Sequence, residues 1–364
     1  MRKMATIRKI DAINPIPDAD AIEVATVGGW KVVVKRGEFT VGQLAVYCEV
    51  DSFIPSSIAP FLTKPGHFSK SYNDIIGERL RTVKLRGQLS QGLLLPSSIF
   101  GHTIPNYFNE SNRWAIGLVS DEGDNFSEFL FEGEDVSERL GIVKWEPPAE
   151  FLAVDAKGLF PSRIPKTDQE RIQNLSAELA EWKTENLTWE VTEKLDGLSM
   201  TVYVMDGDIG VCSRNLDLKR NPDTSLWRAA IKHGLEEKLM SLGRNIAIQG
   251  ELIGNGIQGN KYKMRDQDFY VYDMYDIDAG RYFTPDERLA TANELGLNHC
   301  PVLAYSANLY DTLGITNMDQ ILKFAEGKTV MLGSNCEREG MVFKCHQKPV
   351  SFKAISNAFL LREK

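Results

Sequence analysis

Thr188-Trp189-Glu190-Val191-Thr192-Glu193-Lys194-Leu195-Asp196-Gly197 is the stretch on which the reading of this chain turns. Alternation along a strand puts Glu190, Thr192 and Lys194 on one face and Trp189 and Val191 on the other, packed face. Gly197 lets the backbone turn or approach a ligand closely. A lysine amine that ends the polar face of a strand, with a carboxylate two residues on, has the chemistry of a covalent nucleophile. Taken alone, Lys-x-Asp-Gly is also the composition of an ordinary surface turn, so the surrounding segments decide.

Strand-like runs lie near 187–194, 198–204, 246–253, 269–276, 339–344 and 350–353. Helices are expected between them. Thr167-Asp168-Gln169-Glu170 has the form of a capping box, and Ile172, Leu175, Leu179 and Trp182 follow at helical spacing. A second helix is expected over 225–242 with Leu226, Ile231, Leu235 and Leu239 inward. A third opens at Thr284-Pro285-Asp286-Glu287 and stops at Gly296. Residues 1 to about 140 read differently. Short β-like runs, among them Trp30–Val34, Leu44–Val50 and Arg79–Leu85, are separated by Gly28-Gly29, Gly42, Pro55 and Gly87, as in a small barrel or sandwich. The adjacent Pro147-Pro148 marks an extended linker.

The whole chain has 364 residues and suits two domains. With 42 basic and 50 acidic residues it is not a polyanion binder over its whole surface, although one local basic groove could hold phosphates. No stretch approaches the ~20 apolar residues of a membrane span. The basic start, Met1 to Lys9, has no apolar run behind it, so no secretory signal is expected. Five cysteines, Cys48, Cys212, Cys300, Cys336 and Cys345, contain no C-x-x-C pair. They suit a reduced, cytoplasmic chain better than a disulfide scaffold or a zinc site.

In the second region a set of short segments follows in order: Glu193-Lys194-Leu195-Asp196-Gly197, Ser213-Arg214-Asn215, Gly250-Glu251-Leu252, Phe269-Tyr270-Val271-Tyr272-Asp273, Glu339-Gly340-Met341-Val342-Phe343-Lys344 and Ser351-Phe352-Lys353. This order resembles motifs I, Ia, III, IIIa, IV and V of the covalent nucleotidyltransferases, the polynucleotide ligases and mRNA capping enzymes. The resemblance is nearest to RNA ligases of the Naegleria/Deinococcus type. Pro165 to Asn174 resembles the opening of their ligase domain. The preceding domain, with Leu85-Arg86-Gly87-Gln88-Leu89-Ser90-Gln91-Gly92-Leu93-Leu94-Leu95-Pro96, resembles their N-terminal OB domain. The 11 residues after Lys353 leave no room for the C-terminal OB domain of many DNA ligases and capping enzymes.

The resemblance implies an α+β chain: an N-terminal OB-fold β-barrel over 1–145, a linker over 146–163, and a nucleotidyltransferase domain of antiparallel sheets flanked by helices over 164–364. It implies an ATP-dependent RNA ligase. Lys194 would attack the α-phosphorus of ATP, and lysyl-AMP would pass its AMP to an RNA 5′-phosphate. A 3′-OH would then displace AMP, in repair of RNA-containing breaks or nicks. Asp196 and Glu339 would hold Mg²⁺ or Mn²⁺ as hard oxygen donors, directly or through water. Arg214 and Glu251 would contact the ribose hydroxyls, Phe269 the adenine face and Glu193 the base edge. Only about 1 in 2,500 free lysines is neutral at pH 7. Lys344, Lys353 and the metal would supply the positive field that favours the neutral amine.

Some readings stay open at this stage. Phe269 suits a core almost as well as a base platform. Strict alternation separates Glu339 from Lys344 unless the strand bulges at Gly340. Some related ligases have Lys-x-Lys at motif V, where this chain has Ser351, and Lys348 is a substitute. Lys84 and Arg86 are the phosphate-contact candidates of the first domain, with Arg79 and Arg81 nearby. Asp121-Glu122-Gly123-Asp124 reads as a solvated loop. The formal G-x-G-x-x-G at Gly254–Gly259 has no helix start behind it and reads as a loop beside the site rather than a dinucleotide fingerprint. The expected partner is RNA or an RNA-containing duplex with 3′-OH and 5′-phosphate ends, met by a monomer with no membrane role. The alternatives are an RNA capping guanylyltransferase and an inactive nucleic-acid-binding protein.

Overall fold

The computed structural model describes residues 2–108, 113–120, 126–146 and 154–362. Pro147-Pro148 and the acidic run 121–124 lie outside the described residues. The chain divides into two compact units. One is Met1–Pro147 together with Gln173–Ala177, and the other is Pro148–Ile172 together with Glu178–Lys364. Among the described residues no helix is long and apolar enough to cross a membrane.

The first unit is built of strands. Leu44–Cys48 lies between Ala5–Lys9 and Leu93–Leu95, antiparallel to both. All five of its residues are buried. Alternation explains this: Leu44, Val46 and Cys48 enter one apolar cluster with Ile7, Leu95 and Ile116, while Ala45 and Tyr47 enter another with Trp30 and Val32. A strand buried on both faces reads as an unbroken apolar run, as Leu44-Ala45-Val46-Tyr47-Cys48 does. The run expected over Arg79–Leu85 is instead two strands, Ile75–Arg79 and Val83–Leu85, the second paired with Gln88–Ser90. Arg86 and Gly87 turn that hairpin with φ of 47° and 82°, the conformation of a type I′ turn.

The second unit has two sheets. The larger carries Ala156–Leu159, Leu216–Leu218, Asp208–Cys212, Leu198–Met205, Ile246–Gly254, Gln267–Asp276 and Arg281–Tyr282 in that order, with Asn298–His299 beside Gln267–Asp276. The smaller is ordered Glu170–Arg171, Ser351–Ile355, Gly340–Cys345, Thr188–Lys194 and Val302–Asn308. Helices Ser225–Lys232, Leu235–Ser241 and Pro285–Glu294 bring Leu226, Leu235, Leu239 and Ala292 into the core of the larger sheet. The two units together are thus an α+β chain.

Two helix expectations need correction. The 225–242 helix is two helices, because Gly234 adopts φ 60° between them. No helix starts at Thr167: Glu170–Arg171 pairs in parallel with Phe352 and Lys353, and the helix runs only over Ser176–Trp182. The Thr284 expectation matches the structure, where the Thr284 hydroxyl accepts from Glu287 N and the Glu287 carboxylate accepts from Thr284 N.

The smaller sheet rests on an aromatic cluster. Phe352 lies 5.4 Å from Trp182, 5.1 Å from Trp189 and 4.7 Å from Phe343, centroid to centroid. Phe352→Ala should lower stability by about 3–5 kcal/mol. Urea unfolding checks this, and an unchanged midpoint would contradict the cluster's role.

Candidate active site

The Thr188–Lys194 strand is paired on both sides, so its end is fixed. Lys194 stands opposite Gly340 and Glu193 opposite Met341. Glu339 immediately precedes that partner strand, where its carbonyl accepts from Ser356 N at 2.8 Å. Its Oε2 accepts from Lys194 Nζ at 2.7 Å. No bulge is needed at Gly340, because the register runs unbroken from Gly340 to Cys345 and Glu339 lies outside the strand. A Cβ at Gly340 would meet the Ala354 carbonyl oxygen at 2.2 Å, so only glycine lets the strands close here.

After Lys194 the chain enters the larger sheet at the Leu198–Met205 strand. Gly197 N donates to Glu251 Oε1 at 2.9 Å, and a Cβ there would meet the Leu252 carbonyl oxygen at 2.3 Å. Asp196 N donates to the Tyr262 hydroxyl at 2.8 Å, and the Asp196 carboxylate pairs with Lys261. Lys261 and Tyr262 were not singled out in the sequence. They follow the short 3₁₀ turn Gln258–Asn260 behind the glycine-rich stretch, which forms a loop at the site as expected.

Three carboxylates, Asp196, Glu251 and Glu339, thus surround Lys194, and Lys261 is the further cation paired into the group. One negative charge is in excess if all are ionised. Loss of water around Lys194 pulls its pKa down, but Glu339, Glu251 and Asp196 outweigh it and the shift is upward from 10.5. Burial pushes Glu251 up to about 8 against the pull of Lys194. Burial also raises Glu339, opposed by Lys194 and Lys353. Among the described residues no three acidic, His or Cys groups gather as direct metal ligands. One or two carboxylates beside excess negative charge fit a magnesium or manganese ion that keeps much of its water.

The expected positive field takes a different form. Lys344 shares the Lys194 face but pairs with Glu190, about 13 Å along the strand from Gly340. It donates to the Tyr272 carbonyl and lies 3.0 Å from Asp273. Burial, then Arg288, lowers its pKa. Arg288 is itself buried against Glu190 and donates to His299 Nε2 at 2.9 Å. Lys344 therefore anchors a buried charge network rather than facing Lys194. Lys353 does share the site, opposite Val342, and donates to Asp168 Oδ1 at 2.9 Å. Arg214 reaches the other oxygen of Asp168 at 3.5 Å. Asp168, read above as part of a helix cap, instead joins two candidate nucleotide contacts.

Lys348 pairs with Glu185 at 2.6 Å. The Glu193 carboxylate is also committed: it accepts from the Thr329 hydroxyl and from Val330 N, and so holds the 329–331 loop. Phe269 requires correction. It is 1% exposed in the core of the larger sheet and offers no face to a base. Tyr270, the next residue, stands opposite Glu251 on the site side and is only partly buried.

Comparison with known proteins matches residues 4–97 to an OB-fold domain and residues 187–355 to the RNA ligase family. No curated protein matches. Among solved structures, the chain is similar to a mutant Naegleria gruberi RNA ligase without ligand at 43% identity and TM-score 0.83, covering 99% of this chain and 97% of that one. A mutant of the same ligase with ATP and Mn matches at 43% and 0.82, covering 100% and 99%. The ligase with PPi matches at 43% and 0.81, covering 99% and 98%.

Two outcomes test these electrostatics. A carboxyl raised to about 8 in the folded protein binds a proton that the unfolded chain releases near 4.5, so it loses stability as pH rises through that window. Glu251→Gln should therefore gain thermal stability over the parent as pH rises from 4.5 to 8, levelling above. An advantage independent of pH would contradict the assignment. Lys261→Met removes the counter-ion of Asp196 and should tighten Mn²⁺ binding in calorimetric titration; weaker binding would contradict that competition.

Proposed function

We infer the reaction from one premise: this chain belongs to the RNA ligase family. It is an ATP-dependent RNA ligase with an N-terminal OB-fold domain. ATP and manganese, bound in the Naegleria gruberi complexes, suit the site described here. The supporting observation is the 2.7 Å pair of Lys194 and Glu339 inside a cluster of carboxylates.

Lys194 Nζ attacks the α-phosphorus of ATP. A phosphorus–nitrogen bond forms, the bond to pyrophosphate breaks, and the amine gives up its proton. Glu339 Oε2 is the acceptor beside that proton, and burial raises its affinity for one. When bound, Mg²⁺ or Mn²⁺ supplies positive charge that offsets the carboxylates and the triphosphate, and Asp196 and Glu339 would hold it. Glu251 accepts a ribose hydroxyl, which a carboxyl poised near neutrality can do in either protonation state. Lys353 and Arg214 leave Asp168 for the nucleotide. Tyr270, rather than Phe269, provides the aromatic face for adenine. Lys344 pairs with Asp273 beside the Arg288–Glu190 pair, and this network positions the strand that carries Lys194.

AMP then passes from Lys194 to the 5′-phosphate of an RNA end, and a 3′-OH displaces it. The first unit holds the RNA, with Lys84 and Arg86 on their exposed hairpin contacting phosphates. A monomer acting on breaks or nicks in RNA-containing duplexes fits these parts.

Incubation with α-labelled ATP and Mn²⁺ should leave label on the denatured protein. Lys194→Ala should abolish it. Label retained by that variant would remove Lys194 from its role, and label from GTP alone would move the reaction to capping.

A further inference from the structure

Residues 52–90 stand apart from the rest of the chain in charge. They contain six Lys or Arg and two acidic residues, in a protein whose net charge is −8. Of the cations, Arg79 is bound to Asp51 and stacked on Trp145, and Lys70 lies 3.8 Å from Glu78. Lys64, Arg81, Lys84 and Arg86 are exposed, and among the described residues no acidic side chain pairs with them. The same segment leaves large apolar side chains in water. Phe68 is 97% exposed and Phe61 65%, with Ile76, Val83 and Leu85 also exposed. Unpaired cations interleaved with unburied aromatic rings match a polyanion that also carries flat apolar faces. A protein partner of ordinary composition would not call for four unpaired cations.

We propose that this segment is a binding edge for unpaired RNA, in which Phe68 and Phe61 stack on bases and Lys64, Arg81, Lys84 and Arg86 contact the phosphates. The proposal rests on the ligase reading and adds to it the kind of strand that the first unit takes. A ring standing clear of its own fold stacks on a base whose face is open, one that has left a helix or that ends it at a break. The edge therefore suits single-stranded or splayed nucleotides rather than the interior of a duplex.

The test uses the full chain and a single-stranded RNA oligonucleotide carrying 2-aminopurine at successive positions. Phe68→Ala should weaken binding by about 5- to 150-fold, the range for losing one base–aromatic stack. It should also relieve quenching at one position and leave the salt dependence unchanged. Phe68→Trp should restore both affinity and quenching. The triple variant K64A/K84A/R86A should lower the slope of log affinity against log salt by about 2 and leave quenching in place once RNA is saturating. Labelling of Lys194 from ATP should persist in Phe68→Ala and Phe68→Trp. Loss of labelling in the parent would defeat the ligase reading itself, while parental RNA affinity in Phe68→Ala would overturn only the edge. Unchanged RNA affinity with altered self-association would assign the rings to a protein contact and overturn it equally.

Discussion

The structure of the second unit converges on one ion pair, Lys194 to Glu339, across the open end of two paired strands. Its geometry depends on residues that carry no charge. Gly340 permits the close approach of the Ser351–Ile355 strand, and Gly197 permits the approach of Leu252 and the bond to Glu251. The aromatic cluster of Trp182, Trp189, Phe343 and Phe352 holds the opposite face of the sheet. A side chain at a strand end is only as well aimed as the register that places it.

The second constraint is charge balance without nucleotide. Lys194 pairs with Glu339, Lys261 with Asp196, Lys353 with Asp168 and Lys344 with Asp273. A buried charge such as Lys344 demands a partner, and each of the other, partly exposed cations has one as well. Glu339, Glu251 and Asp196 thereby favour the protonated form of Lys194. This differs from an amine activated by neighbouring lysines, because those lysines are already committed to acids.

The strands were legible because alternation and apolar runs are local. The expected runs near 187–194, 198–204, 246–253 and 339–344 lie within a few residues of the observed strands. What escaped was tertiary. Thr167 to Glu170 satisfies a capping pattern, yet Asp168 is engaged by Lys353, 185 residues away. Lys261 meets Asp196 across 65 residues with nothing in either segment to announce it. Phe269 and Tyr270 differ by one place, and a register shift between Gln249 and Gly250 helps set which of them shares the face of Glu251. Glu339 and Lys344 need no bulge, because Glu339 precedes the strand and Lys344 serves a separate charge network.

Everything at the site turns on carboxylates that favour the Lys194 amine as a cation. Nitrogen-15 NMR titration of the lysine side chains, with Lys194 assigned by substitution, measures it directly. The amine should titrate above the 10.5 of an ordinary lysine in the metal-free protein, and fall when a non-hydrolysable ATP analogue and Mg²⁺ are added. An amine already titrating below 10.5 in the empty protein would contradict it.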